Sequence, residues 1–155
     1  MGSRRRARQF ALQALYQADL MERSGMASLN HLWDGLVDGA GMNDEPPPDS
    51  EEMEFAVLLV TGTLENQPSL DALIEQCSTN WRLARMPLVD RNVLRMAAFE
   101  LSERKDVPAS VAINEAIELA KRFGTADSGG FVNGIADRMA RTLKRTKTSS
   151  RGKAR

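Results

Sequence analysis

The strongest constraint on the fold of this chain is the spacing of its apolar residues, which recur three and four positions apart through most of its length. This spacing puts side chains on one face of an α-helix, whereas a half-buried β-strand would need strict alternation. Leu, Ala, Met, Glu and Arg are abundant, and β-branched residues are sparse, which also favours helices. We therefore expect an all-α fold of about seven helices.

The first half of the chain predicts three helices. The first runs from about Ser3 to Met21 and the second from Ser28 to Val37. Glycines and three consecutive prolines predict a loop from Asp38 to Pro48. Asp49 and Glu52 are three residues apart, a pattern that resembles a capping box and predicts the start of the third helix.

Prolines and a glycine divide the second half into four helices. Proline suits the first turn of a helix because its missing N–H would have no partner there. The fourth, fifth and sixth helices are therefore expected to open at Pro68, Pro87 and Pro108. Gly124 is expected to cap the C-terminus of the sixth helix. The seventh would begin at Asp127 or Ser128 and carry apolar residues inward as far as Leu143.

The chain of 155 residues has a length typical of one domain. We expect a helical domain over residues 1–145, built from two packed subdomains of three and four helices. The boundary falls near Asn66 to Pro68, which gives subdomains of about 1–66 and 67–145. Residues 146–155 are basic and rich in Ser, Thr and Lys, and we expect them to form a disordered tail.

Composition argues against membrane, metal and catalytic functions. No apolar run approaches the roughly 18–20 residues that span a bilayer, and no secretory h-region follows the basic N-terminus, so we expect a cytoplasmic protein. A single cysteine, Cys77, excludes an intrachain disulfide and a CxxC-type zinc site. A single histidine, His31, leaves little for metal binding or for a catalytic triad. No phosphate loop is present. We expect no cofactor, no metal, no catalytic residues and no enzymatic activity.

The net charge of zero hides a strong asymmetry. Residues 1–8 carry four arginines and no acid, and residues 138–155 carry eight basic residues and no acid. The 129 residues between them hold 21 acidic and nine basic residues, a net charge of −12. Basic clusters of this kind suggest contact with phosphates. The C-terminal cluster is equally consistent with a tail that only aids solubility, whereas the N-terminal cluster leads directly into a helix.

Five stretches of the sequence resemble the bacterial transcription antitermination factor NusB family. They are residues 4–17, 89–101, 106–108, 111–116 and 131–134. They follow one another in the family's order, and the resemblance covers roughly residues 3–143. The motifs are long and mutually spaced, which makes the resemblance specific.

The resemblance implies an all-helical protein that binds boxA single-stranded RNA together with NusE, a small-subunit ribosomal protein. The pair would join the RNA polymerase antitermination complex during ribosomal RNA transcription. The RNA-binding residues implied by position are Arg4, Arg5, Arg6, Arg8, Asp127, Ser128 and Phe131. Asp90 is the candidate for contact with NusE. If all four arginines meet phosphates, the slope of log K against log salt should be about −3.

Two other functions compete with this interpretation. The same helical module occurs ahead of ribosomal RNA cytosine methyltransferases, but only a basic segment follows residue 145 here. The chain could instead be a helical protein-interaction scaffold with only nonspecific affinity for RNA. Some family members are thought to form homodimers that bury the arginine-bearing helix. A homodimer and an RNA-binding role therefore need not exclude each other.

Overall fold

The computed structural model describes residues 3–21, 24–37 and 46–153, and the side chains of all of these except 35–37 and 145–153. Its helices are α1 Arg4–Met21, α2 Gly25–Val37, α3 Ser50–Glu65, α4 Gln67–Cys77, α5 Leu88–Glu103, α6 Ala109–Phe123 and α7 Ser128–Lys153, with a short 3-10 helix at Leu83–Arg85. These described ranges contain no strand, which confirms the all-α prediction. None of their helices combines the length and apolarity that crossing a membrane would require.

Residues Met1–Glu65 form the first of two compact units. Within it α1 packs against both α2 and α3. Its core includes Ala7, Ala11, Leu12, Leu15, Leu29, Leu59 and Val60. The ring of Trp33 meets that of Phe10 edge-on, with centroids 5.3 Å apart, a favourable arrangement for aromatic pairs.

The start of α3 confirms the predicted capping box. The Glu52 N–H donates to Asp49 Oδ1 at 2.8 Å, and the Asp49 N–H donates to Glu52 Oε1 at 3.2 Å. Two N–H groups that lack helical partners are thereby satisfied. Of the preceding loop predicted over residues 38–48, residues 38–45 lie outside the described residues, and 46–48 are not helical.

Helix α2 begins at Gly25, three residues before the predicted start at Ser28. Ser24 caps it, because its Oγ accepts the Ala27 N–H at 3.1 Å. Gly25 then lies against α3, where an added Cβ would come within 2.2 Å of the Leu64 side chain. The apolar pattern starts only at Leu29, so it does not reveal this first turn.

Residues Asn66–Arg155 form the second unit, and its boundary lies one residue from the expected position. Helix α5 packs against α4, α6 and α7, and α6 also packs against α7. The core includes Ile74, Val93, Leu94, Ala116, Val132 and Met139. Pro68 lies in the first turn of α4, as predicted. Gly124 is the C-cap of α6, also as predicted, and its N–H donates to the Ala120 carbonyl at 2.9 Å.

The three-and-four spacing predicts that Met21 and Val111 lie on the apolar faces of their helices, but both are exposed. Met21 is 58% exposed and Val111 is 41% exposed. Met21 is the last residue of α1, and Val111 lies in the first turn of α6. Terminal turns have fewer neighbours than the middle of a helix, so periodicity overestimates burial there.

Helix α7 extends ten residues past Leu143, to Lys153. It therefore includes residues 146–153, for which the sequence predicts a disordered tail. No proline interrupts this segment, and its Lys and Arg residues complement the negative end of the helix dipole. Both features favour continuation of the helix.

Candidate nucleic-acid interface

The N-terminus of α1 carries the four candidate arginines, and they differ in exposure. Arg4 and Arg5 are exposed, Arg6 is partly buried, and Arg8 is only 3% exposed. Ser3 starts the helix, because its Oγ accepts the Arg6 N–H at 3.2 Å. The positive end of the helix dipole adds to the charge of the arginines here. Arg4 and Arg5 thus present two cationic side chains to solvent at a site that favours anions.

Arg4 and Arg8 share one face of α1, as their spacing predicts, and both lie over the ring of Phe55. The guanidinium carbon of Arg4 is 4.6 Å from the ring centroid and that of Arg8 is 5.4 Å from it. Cation–π attraction holds both groups near the ring. Because Arg8 is buried, its guanidinium would reach a phosphate only after leaving this position.

Arg6 connects α1 to the capping box of α3. Its Nη1 lies 3.5 Å from Glu52 Oε1, and its Nη2 donates to the Pro46 carbonyl. Its guanidinium also lies 5.2 Å from the centroid of the Phe10 ring. Glu52 is 5% exposed, so its carboxylate depends on protein partners in place of water. Arg6 therefore supports the fold of the first unit.

Arg6→Ala is expected to lower the free energy of unfolding by about 1–2 kcal/mol, because it leaves the buried Glu52 carboxylate without its cationic partner. Urea unfolding followed by circular dichroism measures this loss. Adding Glu52→Gln should recover part of it, since a neutral amide costs less to bury than a carboxylate. Equal losses in the single and double variants would show that Arg6 does not act through Glu52.

The segment between α6 and α7 holds the other candidate RNA contacts. Asp127 is exposed and Phe131 is partly exposed. The Phe131 N–H donates to the Asp127 carbonyl at 3.1 Å, which opens α7. A carboxylate can accept hydrogen bonds from base edges, and an aromatic ring can stack on a base. Both residues could therefore contact RNA without rearrangement of the helix start.

Ser128 and Asp90, assigned different roles from the sequence, are hydrogen-bonded to each other. The Ser128 Oγ donates to Asp90 Oδ1 at 2.7 Å and accepts the Thr125 N–H at 2.9 Å. Ser128 is 1% exposed and Asp90 is 4% exposed. Burial raises the pKa of Asp90, and the hydrogen bond from Ser128 offsets part of this rise. This chain of bonds fixes the start of α7 to the start of α5.

Asp90→Asn is expected to remove a pH-dependent component of stability. The pKa of Asp90 is raised above 3.8 in the folded protein, so its contribution is fully present below about pH 3.8 and is lost as the pH rises through the folded pKa. Asparagine does not titrate. The stability of the variant relative to the unmodified protein should therefore increase between acidic and neutral pH, which urea unfolding at several pH values measures. A constant difference would contradict the shift.

Two features of the second unit are not among those predicted from the sequence. The bond between Asp90 and Ser128 joins residues 38 positions apart, and no periodicity reports such a pairing. Trp81 is 52% exposed in the loop between α4 and α5. A signal for the second did exist, since Trp81 is followed by Arg82 and Arg85 in a stretch without acidic residues.

Comparisons with known proteins identify relatives over nearly the whole chain. The transcription antitermination protein NusB of Geotalea daltonii is 47% identical over 145 residues, which cover 92% of this chain and 97% of that protein. The solved structure of NusB from T. maritima is 38% identical, superimposes with a TM-score of 0.78, and is matched over 91% of this chain and 93% of its own.

A further solved structure contains antitermination factors NusB and NusE in complex with dsRNA. It is matched with a TM-score of 0.74 over 90% of this chain and 96% of the other, and its 23% identity supports the shared fold alone. The family model described as the NusB family matches residues 5–141. This match, together with the 47% identity to a NusB protein, shows that the chain belongs to the NusB family.

Proposed function

We propose that this protein is a transcription antitermination factor that binds boxA single-stranded RNA together with the ribosomal protein NusE. It supports processive transcription of ribosomal RNA operons within the RNA polymerase antitermination complex, in the cytoplasm. It acts by binding and not as an enzyme. The observation that carries the proposal is the exposed pair Arg4 and Arg5 at the N-terminus of α1, in a chain that belongs to the NusB family.

The arginines take different parts in this function. Arg4 and Arg5 bind RNA phosphates, because their guanidinium groups are exposed and match phosphate oxygens in geometry. Arg6 is held by Glu52 and the Pro46 carbonyl, and Arg8 lies over the Phe55 ring. Arg6 and Arg8 hold the N-terminal end of α1 in place and add positive electrostatic potential near Arg4 and Arg5.

The start of α7 supplies contacts to the bases. Asp127 accepts hydrogen bonds from base edges, and the partly exposed ring of Phe131 offers a surface for stacking. Ser128 positions this segment through its bonds to Asp90 and to the Thr125 N–H. Asp90 thus contributes from inside the protein, and the surface around the start of α5 is the candidate for contact with NusE.

The distribution of charge along the chain favours joint binding of RNA and NusE. The central 129 residues carry a net charge of −12, which repels RNA except near the basic clusters and attracts a basic ribosomal protein. A chain of the solved complex of NusB, NusE and dsRNA shares the fold of this chain. Both considerations favour joint binding of RNA and NusE over a role as a scaffold alone.

The test is fluorescence anisotropy of boxA RNA and of a scrambled RNA of equal length, each titrated with the protein in the presence and absence of NusE. A preference for boxA that increases with NusE supports the proposal. Equal affinity for both RNAs at every NusE concentration would refute it and favour the scaffold. Light scattering on the same samples determines whether any loss of binding accompanies formation of a homodimer.

The salt dependence of boxA binding should report two phosphate contacts from α1. Each contact with a single strand contributes about −0.7 to the slope of log K against log salt, so Arg4→Ala with Arg5→Ala should flatten the slope by about 1.4. Titrations at four salt concentrations measure it. A slope that does not change in the double variant would assign the salt dependence to other cations.

A further inference from the structure

Trp81 is held in an exposed position by a well-anchored loop. Trp81 is 52% exposed, whereas Leu83 and Met86 after it are 6% and 4% exposed and anchor the loop. The short 3-10 helix that contains Leu83 packs against α4. The Ser78 hydroxyl donates to the Trp81 carbonyl at 2.7 Å, and the Leu83 N–H donates to Glu75 Oε1 at 3.4 Å. The backbone is thus fixed on both sides of a large aromatic ring that faces solvent.

The surroundings of Trp81 in the sequence are basic. Arg82 and Arg85 are both exposed, and no acidic residue occurs between Glu75 and Asp90. The short 3-10 helix Leu83–Arg85 buries Leu83 and leaves Arg85 exposed. The loop therefore presents one aromatic ring and two guanidinium groups to solvent.

The middle of α7 brings further cations to the start of this loop. Arg138 Nη1 donates to the Cys77 carbonyl at 2.9 Å, and Cys77 Sγ lies 3.7 Å from Thr142 Oγ1. Cys77 ends α4, and the loop begins with the next residue. Arg138 and Arg141 are exposed on this part of α7, and Arg141 also pairs with Asp137. Such an exposed ion pair is weak and leaves the arginine able to bind a phosphate.

We propose that Trp81, with Arg82, Arg85, Arg138 and Arg141, forms a second contact for single-stranded RNA. A base stacks on the indole, and the arginines bind the flanking phosphates. Exposed aromatic rings among cations are the general platform for single strands, since every base offers a face for stacking. The proposal rests on the proposed function, because it extends the same type of ligand to another surface. It also gives a role to Arg138 and Arg141, two of the eight basic residues in the C-terminal cluster.

The experiment uses the full chain with Trp33→Phe, so that Trp81 is the one remaining tryptophan of the two. Titration with an oligouridine RNA and with boxA RNA should quench its fluorescence in parallel with the anisotropy of the RNA. In the same background, Trp81→Ala should weaken binding of both RNAs about tenfold, and Trp81→Phe should retain most of the affinity. Gln76→Ala, an exposed residue on α4, is the matched control and should change neither signal.

The outcomes separate this contact from the proposed function. If boxA binds and depends on Arg4 and Arg5 while the Trp81 emission and the affinity of Trp81→Ala are unchanged, the second contact is overturned and the function stands. If a parallel titration with NusE quenches Trp81 and neither RNA does, the surface binds protein and the contact is overturned. If oligouridine quenches Trp81 but boxA shows no preference over scrambled RNA, the contact stands and the function fails. Absence of binding to either RNA overturns both.

Discussion

Replacing Arg4 and Arg5 together with alanine is expected to weaken boxA binding by about 10- to 100-fold. A hydrogen bond to a charged group contributes about 1.5–3 kcal/mol, and solvent screening of these exposed side chains reduces the contribution of the pair to about 1.4–2.8 kcal/mol, since tenfold in affinity corresponds to about 1.4 kcal/mol. The free energy of unfolding should change by no more than about 1 kcal/mol, because both side chains are exposed and the lost cation–π contact of Arg4 with Phe55 contributes about 0.5–1 kcal/mol. Anisotropy titration and urea unfolding of the same preparations measure the two effects.

Two control variants test whether the loss reflects phosphate recognition. Arg4→Lys with Arg5→Lys keeps the charge but loses the planar fork, so it should recover only part of the affinity. Lys105→Ala removes an exposed cation between α5 and α6 and should leave boxA binding unchanged. If Lys105→Ala weakened binding as much as Arg5→Ala alone, overall charge would explain the effect and the two arginines would have no specific role.

The helical fold could be predicted from the sequence because each of its signals is local. Periodicity, prolines and a glycine predicted the seven helices found in the described part of the chain, and Asp49 with Glu52 predicted the start of α3 to within a residue. The early start of α2 was missed, because its cap is Ser24 and its first turn contains Gly25, which contributes no apolar side chain to the pattern. Local signals therefore predict the presence of a helix more reliably than they predict the first residue of a helix with a weak apolar pattern.

The environment of the arginines could be predicted only in part. Their spacing correctly places Arg4 and Arg8 on one face of α1. It does not reveal that Phe55 of α3 lies against that face, which buries Arg8 and leaves Arg4 exposed. Arg6 contacts Glu52, a residue 46 positions away, for the same reason. Roles that depend on which helices pack together require the tertiary structure.

The pairing of Asp90 with Ser128 links the surface at the start of α5 to the segment that carries Asp127 and Phe131. Any change in the position of Ser128 should therefore alter the candidate contacts to RNA bases. Gly124 is the residue that permits this arrangement. It precedes Thr125, whose N–H donates to the Ser128 Oγ.

Gly124→Ala is expected to lower the free energy of unfolding by about 1–3 kcal/mol and to weaken boxA binding about tenfold. An added Cβ would lie 2.4 Å from the Ser128 Oγ and 2.7 Å from the Ala120 carbonyl oxygen. The carbonyl belongs to the last turn of α6 and has little freedom to move, so Ser128 must shift and its bond to Asp90 lengthens. The start of α7 would then move with Ser128.

The matched control is Gly134→Ala, where an added Cβ meets no atom within 4 Å. This glycine lies inside α7, so alanine should raise the free energy of unfolding by up to about 1 kcal/mol through its higher helix propensity. Urea unfolding measures the stability of both variants, and anisotropy measures their affinity for boxA RNA. If Gly124→Ala lost stability but bound boxA normally, the segment from Asp127 to Phe131 would not be a base contact, and recognition of the RNA would depend on the arginines of α1. If both alanine variants were more stable than the unmodified protein, the Cβ at position 124 would be accommodated without displacing α7. That result would contradict a role for Asp90 in positioning the start of α7.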